Sequence, residues 1–180
     1  MGHTWLAVQN GEQVLDVGTG TGLSLAPLVA TNPRGWTAGV DVTPAMLRRA
    51  RGRLADTPQA QYSLHRATAG ALPYATGAFD AVYSSYLIDV LPQSRVRPAL
   101  AEMRRVLRPD GRLVLVHLAP PTRPLERLWA RLARRVPFLF GGARPLAVRP
   151  ALRQAGFSVQ RTTACTQFGL RSGVVRAGPR

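Results

Sequence analysis

The sequence predicts a single α/β domain built on a seven-stranded, mostly parallel sheet with helices on both faces. Three observations point to it. Short apolar runs alternate with segments of helical period along the whole chain. A glycine-rich turn joins the first strand to the first helix, as in parallel sheets that bind ligands at their carboxyl edge. The 180 residues, 46% of them hydrophobic, suffice for one buried core and show neither an internal repeat nor a linker long enough to divide them.

Residues 14–17 (VLDV) form the first predicted strand and 22–30 the first helix. A strand over 37–42 leads into a helix over 44–54, with Thr43 as its predicted N-cap and Pro44 at its first position. A third strand is predicted over 62–66, a loop over 73–78, a fourth strand over 81–84 and a helix over 95–106. The turn Pro109-Asp110-Gly111 introduces a fifth strand over 112–118. A short helix over 150–155, closed by Gly156, precedes strands over 157–162 and 171–176. Only 13 residues come before the first strand, so any lid over a bound ligand is expected to be short or missing.

Composition narrows the class. No stretch approaches the roughly 18 apolar residues of a membrane span, and the first residues lack the basic-then-apolar layout of a signal peptide. The expected location is therefore cytoplasmic. The one cysteine, Cys165, can form neither an internal disulfide nor a metal cluster, and no metal site is expected, since His3 and His65 show no ligand spacing. The net charge of +15 is uneven: residues 1–94 hold 6 Arg and 6 acids, whereas 95–180 hold 18 Arg and 3 acids, with no lysine anywhere. Such a basic half fits an anionic partner, or an Arg-rich composition without one.

The turn Gly18-Thr19-Gly20-Thr21-Gly22 follows Asp16 directly at the end of the first strand. Its G-x-G-x-G spacing is neither the G-x-G-x-x-G of dinucleotide binders nor a P-loop. An acid just before the turn repels a pyrophosphate and suits a cationic ligand carrying an ammonium and a sulfonium. Asp41, at the end of the second strand, can accept hydrogen bonds from both hydroxyls of a ribose. Val42 and Met46 offer apolar surface to an adenine ring, although a methionine at helical spacing also suits a core.

Together these segments resemble the ubiquinone/menaquinone-biosynthesis type of class I S-adenosylmethionine-dependent methyltransferases, also described as methyltransferase type 11-like. The resemblance runs through VLDVGTGTGL (14–23), GVDVTPAMLRRAR (39–51), ALPYATGAFDAVYSSYLIDVLP (71–92) and EMRRVLRPDGRLVLV (102–116), in the family's order. It implies a Rossmann-like methyltransferase fold with S-adenosylmethionine as cofactor and S-adenosylhomocysteine as product. Asp16, Gly18, Thr19 and Gly20 would hold the methionine part, Asp41 the ribose, Val42 and Met46 the adenine, and Ser84 would face the methionine end. Where the family places an aspartate for the adenine amine, this chain has Thr68. A neutral acceptor there implies looser binding, with the backbone N–H of Ala69 still able to contact the adenine.

Methyl transfer from a sulfonium needs alignment and exclusion of water, plus a general base when the acceptor is carbon or hydroxyl. Candidates are Asp89 and His117, with Tyr86 as a polar wall; Asp89 also suits a helix cap, and His117 a structural histidine. The acceptor is expected to be a small molecule, with a lipid or quinone suggested by residues 122–140. There Leu125, Leu128, Trp129, Leu132 and Val136 recur at helical spacing, and Arg127, Arg131, Arg134 and Arg135 mostly fall on other faces. A basic amphipathic helix of this kind can lie on an anionic membrane, or pack over a sheet like any other. Two alternatives stand beside this: a non-catalytic S-adenosylmethionine-binding module, and an RNA methyltransferase, for which the nucleic-acid enzymes' stacking or Asn-Pro-Pro-Tyr motifs are missing.

Overall fold

The computed structural model describes residues 1–55, 57, 61–119, 147–167 and 170–180. Its elements are α1 (Gly2–Leu6), β1 (Gln13–Val17), α2 (Leu25–Thr31), β2 (Trp36–Asp41), α3 (Pro44–Leu54), β3 (Gln61–Arg66) and β4 (Phe79–Ser85). They continue with α4 (Leu87–Val90), α5 (Gln93–Val106), β5 (Leu107–Leu118), α6 (Val148–Gln154), β6 (Phe157–Gln167) and β7 (Leu170–Pro179). The strands form one seven-stranded sheet in the order β3-β2-β1-β4-β5-β7-β6. Every pairing is parallel except the two that β7 makes, with β5 and with β6. The chain winds outward from β1 to β3 and then returns to the other side of β1 at β4. That reversal leaves a crevice beyond the carboxyl ends of β1 and β4, where open α/β sheets bind ligands.

Burial on both faces explains why the central strands read as continuous apolar runs. Leu15, Val17, Val82, Leu113 and Leu115 pack with Leu100 and Met103 of α5 and Leu152 of α6. Val14, Ala81, Tyr83, Val114 and Val116 meet Trp5 and Leu6 of α1 and Leu28 of α2 on the other side. The short N-terminal helix therefore covers the sheet. The guanidinium of Arg112 secures it by donating to the carbonyls of Leu6 and Ala7 and pairing with Glu12 at 2.6 Å, while Arg161 lies 4.4 Å over the Trp5 ring.

Several boundaries differ from those read in the sequence. The first helix begins at Leu25, because Gly22–Ser24 still belong to the turn. Pro109-Asp110-Gly111 lies within β5, near a register shift between Phe79 and Ala81 of β4. Both C-terminal strands are longer than predicted, since an antiparallel hairpin keeps its pairing beyond the apolar core. Helices α1 and α4, of five and four residues, are too short to show a period. Thr43 stands at the N-cap of α3 but makes no side-chain cap bond; Asp41 Oδ1 instead accepts the Thr43 backbone N–H at 2.8 Å. The basic amphipathic segment 122–140 lies outside the described residues.

Candidate active site

The glycine turn forms because Gly18 and Gly20 take left-handed φ values of 76° and 54°, which side chains with a Cβ adopt only at a cost. Backbone N–H groups of Gly18 and Thr19 both donate to the Val40 carbonyl, at 2.8 and 3.0 Å, tying the turn to the end of β2. A Cβ on Gly18 would stand 3.0 Å from the Leu87 side chain, whereas one on Gly20 would meet nothing within 4 Å. Gly18 thus allows α4 to approach, and Gly20 leaves the turn open to a ligand.

Asp16 is fully buried beneath this turn. Its Oδ2 accepts hydrogen bonds from the hydroxyls of Thr19 at 2.8 Å and Ser24 at 2.7 Å, while Oδ1 is buried without a partner. Burial pushes its pKa from 3.8 up to about 6, the two hydroxyl bonds pulling the other way and the Asp41 charge adding to the rise. A buried carboxylate oxygen with no donor is costly unless a ligand or cation satisfies it. Ser24 has no distinctive signal in the sequence: a Ser ahead of a helix reads only as a generic cap, and here its hydroxyl reaches back to Asp16 on the strand instead.

At the tip of β2, Asp41 accepts the Gly20 N–H at 3.0 Å through Oδ2 and the Thr43 N–H through Oδ1. It remains partly accessible, so its oxygens keep lone pairs for further donors. Val42 beside it is 60% exposed, an unusual position for a large apolar side chain, and Met46 is half-buried. Thr68 and Ala69 come to the same edge, since the Ala67 N–H donates to the Asp41 carbonyl at 3.2 Å. The exposed Thr68 hydroxyl accepts the Gly70 N–H at 3.2 Å, holding a local turn. Ser84 does not present a free hydroxyl: buried in β4, it donates to the Val17 carbonyl at 2.8 Å and clamps β4 to β1. These residues suit a ligand with a cationic end, a diol and a flat apolar ring: a buried acid with an unpartnered oxygen, an accessible acid and exposed apolar surface follow one another along the edge.

Asp89, His117 and Tyr86 converge on the ends of β5 and β7. Asp89 is buried, and its Oδ2 accepts the Leu118 N–H at 2.9 Å; it caps neither α4 nor α5 by a side-chain bond. Its Oδ1 has no partner, and burial lifts its pKa to about 7, the Leu118 bond opposing the rise. His117 Nδ1 lies 3.1 Å from the Leu118 carbonyl, which can only accept, so Nδ1 carries the proton and Nε2 a lone pair when the ring is neutral. Burial holds the ring's pKa below the ordinary 6.5. The Tyr86 hydroxyl lies 2.8 Å from Ser172 Oγ, and Tyr86 itself sits at a left-handed φ of 56°, a conformation costing a bulky residue on the order of 1 kcal/mol. That strained residue turns the chain from β4 into α4, whose Leu87 abuts Gly18 on one side and whose Asp89 grips β5 on the other. His117 also lines a cavity of about 600 Å³ between the start of α6 and the β6–β7 pair. Among the described residues no three His, Cys, Asp or Glu side chains group as metal ligands.

Comparison with known proteins settles the family. A methyltransferase-domain family matches residues 14–111, more than half the chain and the whole run from β1 through the start of β5. The chain belongs to the class I S-adenosylmethionine-dependent methyltransferases. Within them it is of the ubiquinone/menaquinone type. The demethylmenaquinone methyltransferase of Thermus thermophilus is 34% identical over 169 residues, covering 83% of this chain and 76% of that protein. The same-named protein of Tropheryma whipplei is 36% identical over 129 residues, covering 70% of this chain. Only 51% of that relative is covered, and the chain spans about half the length of most of the curated relatives it matches. Solved structures agree on the fold. Magnesium protoporphyrin IX methyltransferase of Synechocystis, crystallised with S-adenosylhomocysteine, has a TM-score of 0.76 at 22% identity, covering 95% of this chain and 75% of its own. The [4+2]-cyclase SpnF scores 0.79 at 17% identity, covering 99% of this chain and 79% of its own. One fold thus carries proteins named for different chemistries.

Proposed function

We propose that this methyltransferase transfers a methyl group from S-adenosylmethionine to a small-molecule acceptor held between α4 and the ends of β5 and β7. The observation that carries the proposal is the buried Asp16 carboxylate, with its unpartnered Oδ1, placed under an open glycine turn and followed along the edge by Asp41. Asp16 supplies negative potential to the amino-acid end of the cofactor, and the backbone of Gly18, Thr19 and Gly20 lets that end approach. Asp41 accepts from the ribose, Val42 and Met46 flank the adenine, and Thr68 and Ala69 bound its rim. Ser84 acts as a positioning residue, fixing the spacing of β4 and β1. When bound, S-adenosylmethionine supplies an electrophilic methyl group on a sulfonium.

His117 is the base in this proposal: its neutral Nε2 takes the proton of an acceptor hydroxyl as the acceptor forms its bond to the methyl group. Asp89 positions it, since the Asp89 carboxylate holds the N–H and the His117 ring the carbonyl of the same residue, Leu118. Tyr86 anchors the turn before α4 through Ser172. Quinone-type acceptors, given by the names of the curated relatives for those proteins, are the first class to assay. A peripheral contact with an anionic membrane through 122–140 belongs to the same proposal, supported by that segment's alternation of apolar and arginine positions. Among the described residues no helix is long and apolar enough to cross a membrane. Failure of the protein to pellet with anionic vesicles at low salt would remove the membrane contact.

The test is transfer of labelled methyl to a panel of quinols, phosphatidylethanolamine, small amines and RNA. Turnover on a small molecule is expected. Cofactor binding without transfer to any of them would favour the non-catalytic module instead, and transfer to RNA alone would overturn the choice of acceptor.

A further inference from the structure

Two contacts of His3, on α1, lead to Asp16. Its Nε2 lies 3.0 Å from the Ser24 carbonyl, which can only accept, so Nε2 carries the proton and donates. The hydroxyl of the same Ser24 donates to Asp16 Oδ2 at 2.7 Å. The His3 ring also stacks on Tyr83, with centroids 4.9 Å apart and planes at 20°, and Tyr83 of β4 stands in register with Asp16 of β1. Burial lowers the pKa of His3 below the ordinary 6.5, so the ring is neutral at neutral pH.

A helix of five residues does not hold itself together in water, so the place of His3 is set by the sheet. Trp5 and Leu6 are buried against it, Arg176 Nη1 donates to the Trp5 carbonyl at 2.9 Å, and Arg112 holds the carbonyls that follow. Gly2 lets the helix come close: a Cβ there would stand 2.6 Å from the Tyr83 hydroxyl oxygen. The turn that receives His3 has little packing on its outer side, since Leu23 is 68% exposed. Ser24 makes no side-chain cap bond to α2; its hydroxyl is engaged on Asp16. A serine hydroxyl rotates freely about its bonds, so its aim depends on where the backbone of that residue is held.

We propose that His3 is a positioning residue for the amino-acid end of S-adenosylmethionine: by holding the Ser24 carbonyl it keeps the Ser24 hydroxyl on Asp16 Oδ2 and leaves Oδ1 for the cofactor's ammonium. The proposal rests on the reading of Asp16 given above.

Calorimetric titration of the full chain with S-adenosylhomocysteine and with 5′-methylthioadenosine, which shares the adenine, ribose and thioether but lacks the amino-acid end, tests it. The parent is expected to bind S-adenosylhomocysteine about tenfold or more tightly than methylthioadenosine. His3→Phe keeps a ring on Tyr83 and removes the donor; its affinity for S-adenosylhomocysteine should fall about fivefold or more, and that for methylthioadenosine stay within about twofold. His3→Gln places an amide nitrogen as many bonds from the backbone as Nε2 and should bring S-adenosylhomocysteine back to within about twofold of the parent. Should His3→Phe misfold by circular dichroism, His3→Ala takes its place with the same expectation. The proposal is overturned if a folded variant without the donor binds S-adenosylhomocysteine as tightly as the parent, if both ligands weaken alike, or if His3→Gln binds as weakly as His3→Phe. A parent chain that itself does not prefer S-adenosylhomocysteine overturns the reading of Asp16 and this proposal with it.

Discussion

Replacing Asp16 by asparagine should remove a loss of stability that the parent suffers between pH 5 and pH 8, and weaken binding of the cofactor. Asparagine keeps the shape and an oxygen for the hydroxyls of Thr19 and Ser24, removes the charge, and puts an amide NH2 where the unpartnered Oδ1 stood. In the parent, burial raises the carboxyl pKa from 3.8 to about 6. A folded-state pKa above the unfolded value means the group's contribution is complete below pH 3.8 and is lost as pH rises through 6. A shift of roughly 2 units at about 1.4 kcal/mol each gives about 3 kcal/mol lost by pH 8, of which about 1.4 kcal/mol falls between pH 5 and pH 8. The asparagine variant does not titrate. Urea denaturation without cofactor at those two pH values should therefore show the stability of the variant relative to the parent improving by about 1.4 kcal/mol at the higher pH. At pH 8 its affinity for S-adenosylhomocysteine should fall about tenfold or more, because the ligand's ammonium loses a charged partner. A stability difference independent of pH, with unchanged affinity, would refute the assignment of Asp16 as a buried carboxylate awaiting a cation.

Asp41→Ala leaves the N–H groups of Gly20 and Thr43 without their acceptor; denaturation should show a loss of about 1–2 kcal/mol, and calorimetry a drop in cofactor affinity of about tenfold or more. Gly173→Ala pushes the His117 ring aside, so turnover should fall about tenfold or more while S-adenosylhomocysteine affinity, read by calorimetry, stays within about twofold. Because burial holds its pKa below the ordinary histidine value, His117 should give a kcat/KM that is level at neutral and alkaline pH and falls on the acid side as Nε2 gains a proton, and His117→Gln should lower the plateau about 100-fold or more.

The fold was legible because strands buried on both faces leave apolar runs, and because the acids at the ends of β1 and β2 lie next to the turns they serve. Asp16 and Asp41 could be picked out by local spacing alone. What they touch could not: whether Oδ1 of Asp16 has a partner depends on how the Gly22–Ser24 turn brings Ser24 back to β1, and sequence gives no measure of that path. For Ser84, which the family resemblance puts at the methionine end, only the structure shows that its hydroxyl donates to the Val17 carbonyl across β4 and β1. Asp89 and His117 stand out in the sequence only as residue types that follow the fourth strand and end the fifth. Their meeting at Leu118 needed the tertiary structure, since 28 positions separate them in the chain. The hairpin β6–β7 was underestimated for a physical reason as well: its outer residues are paired without being buried, so they carry no apolar pattern.

Calorimetric titration of the parent chain with S-adenosylhomocysteine at pH 8, with Asp41→Ala alongside, tests the cofactor site most directly. Saturable binding at one site per chain, weakened about tenfold or more in the variant, is the expected result. A parent chain that gives no heat and no displacement by S-adenosylmethionine would contradict it.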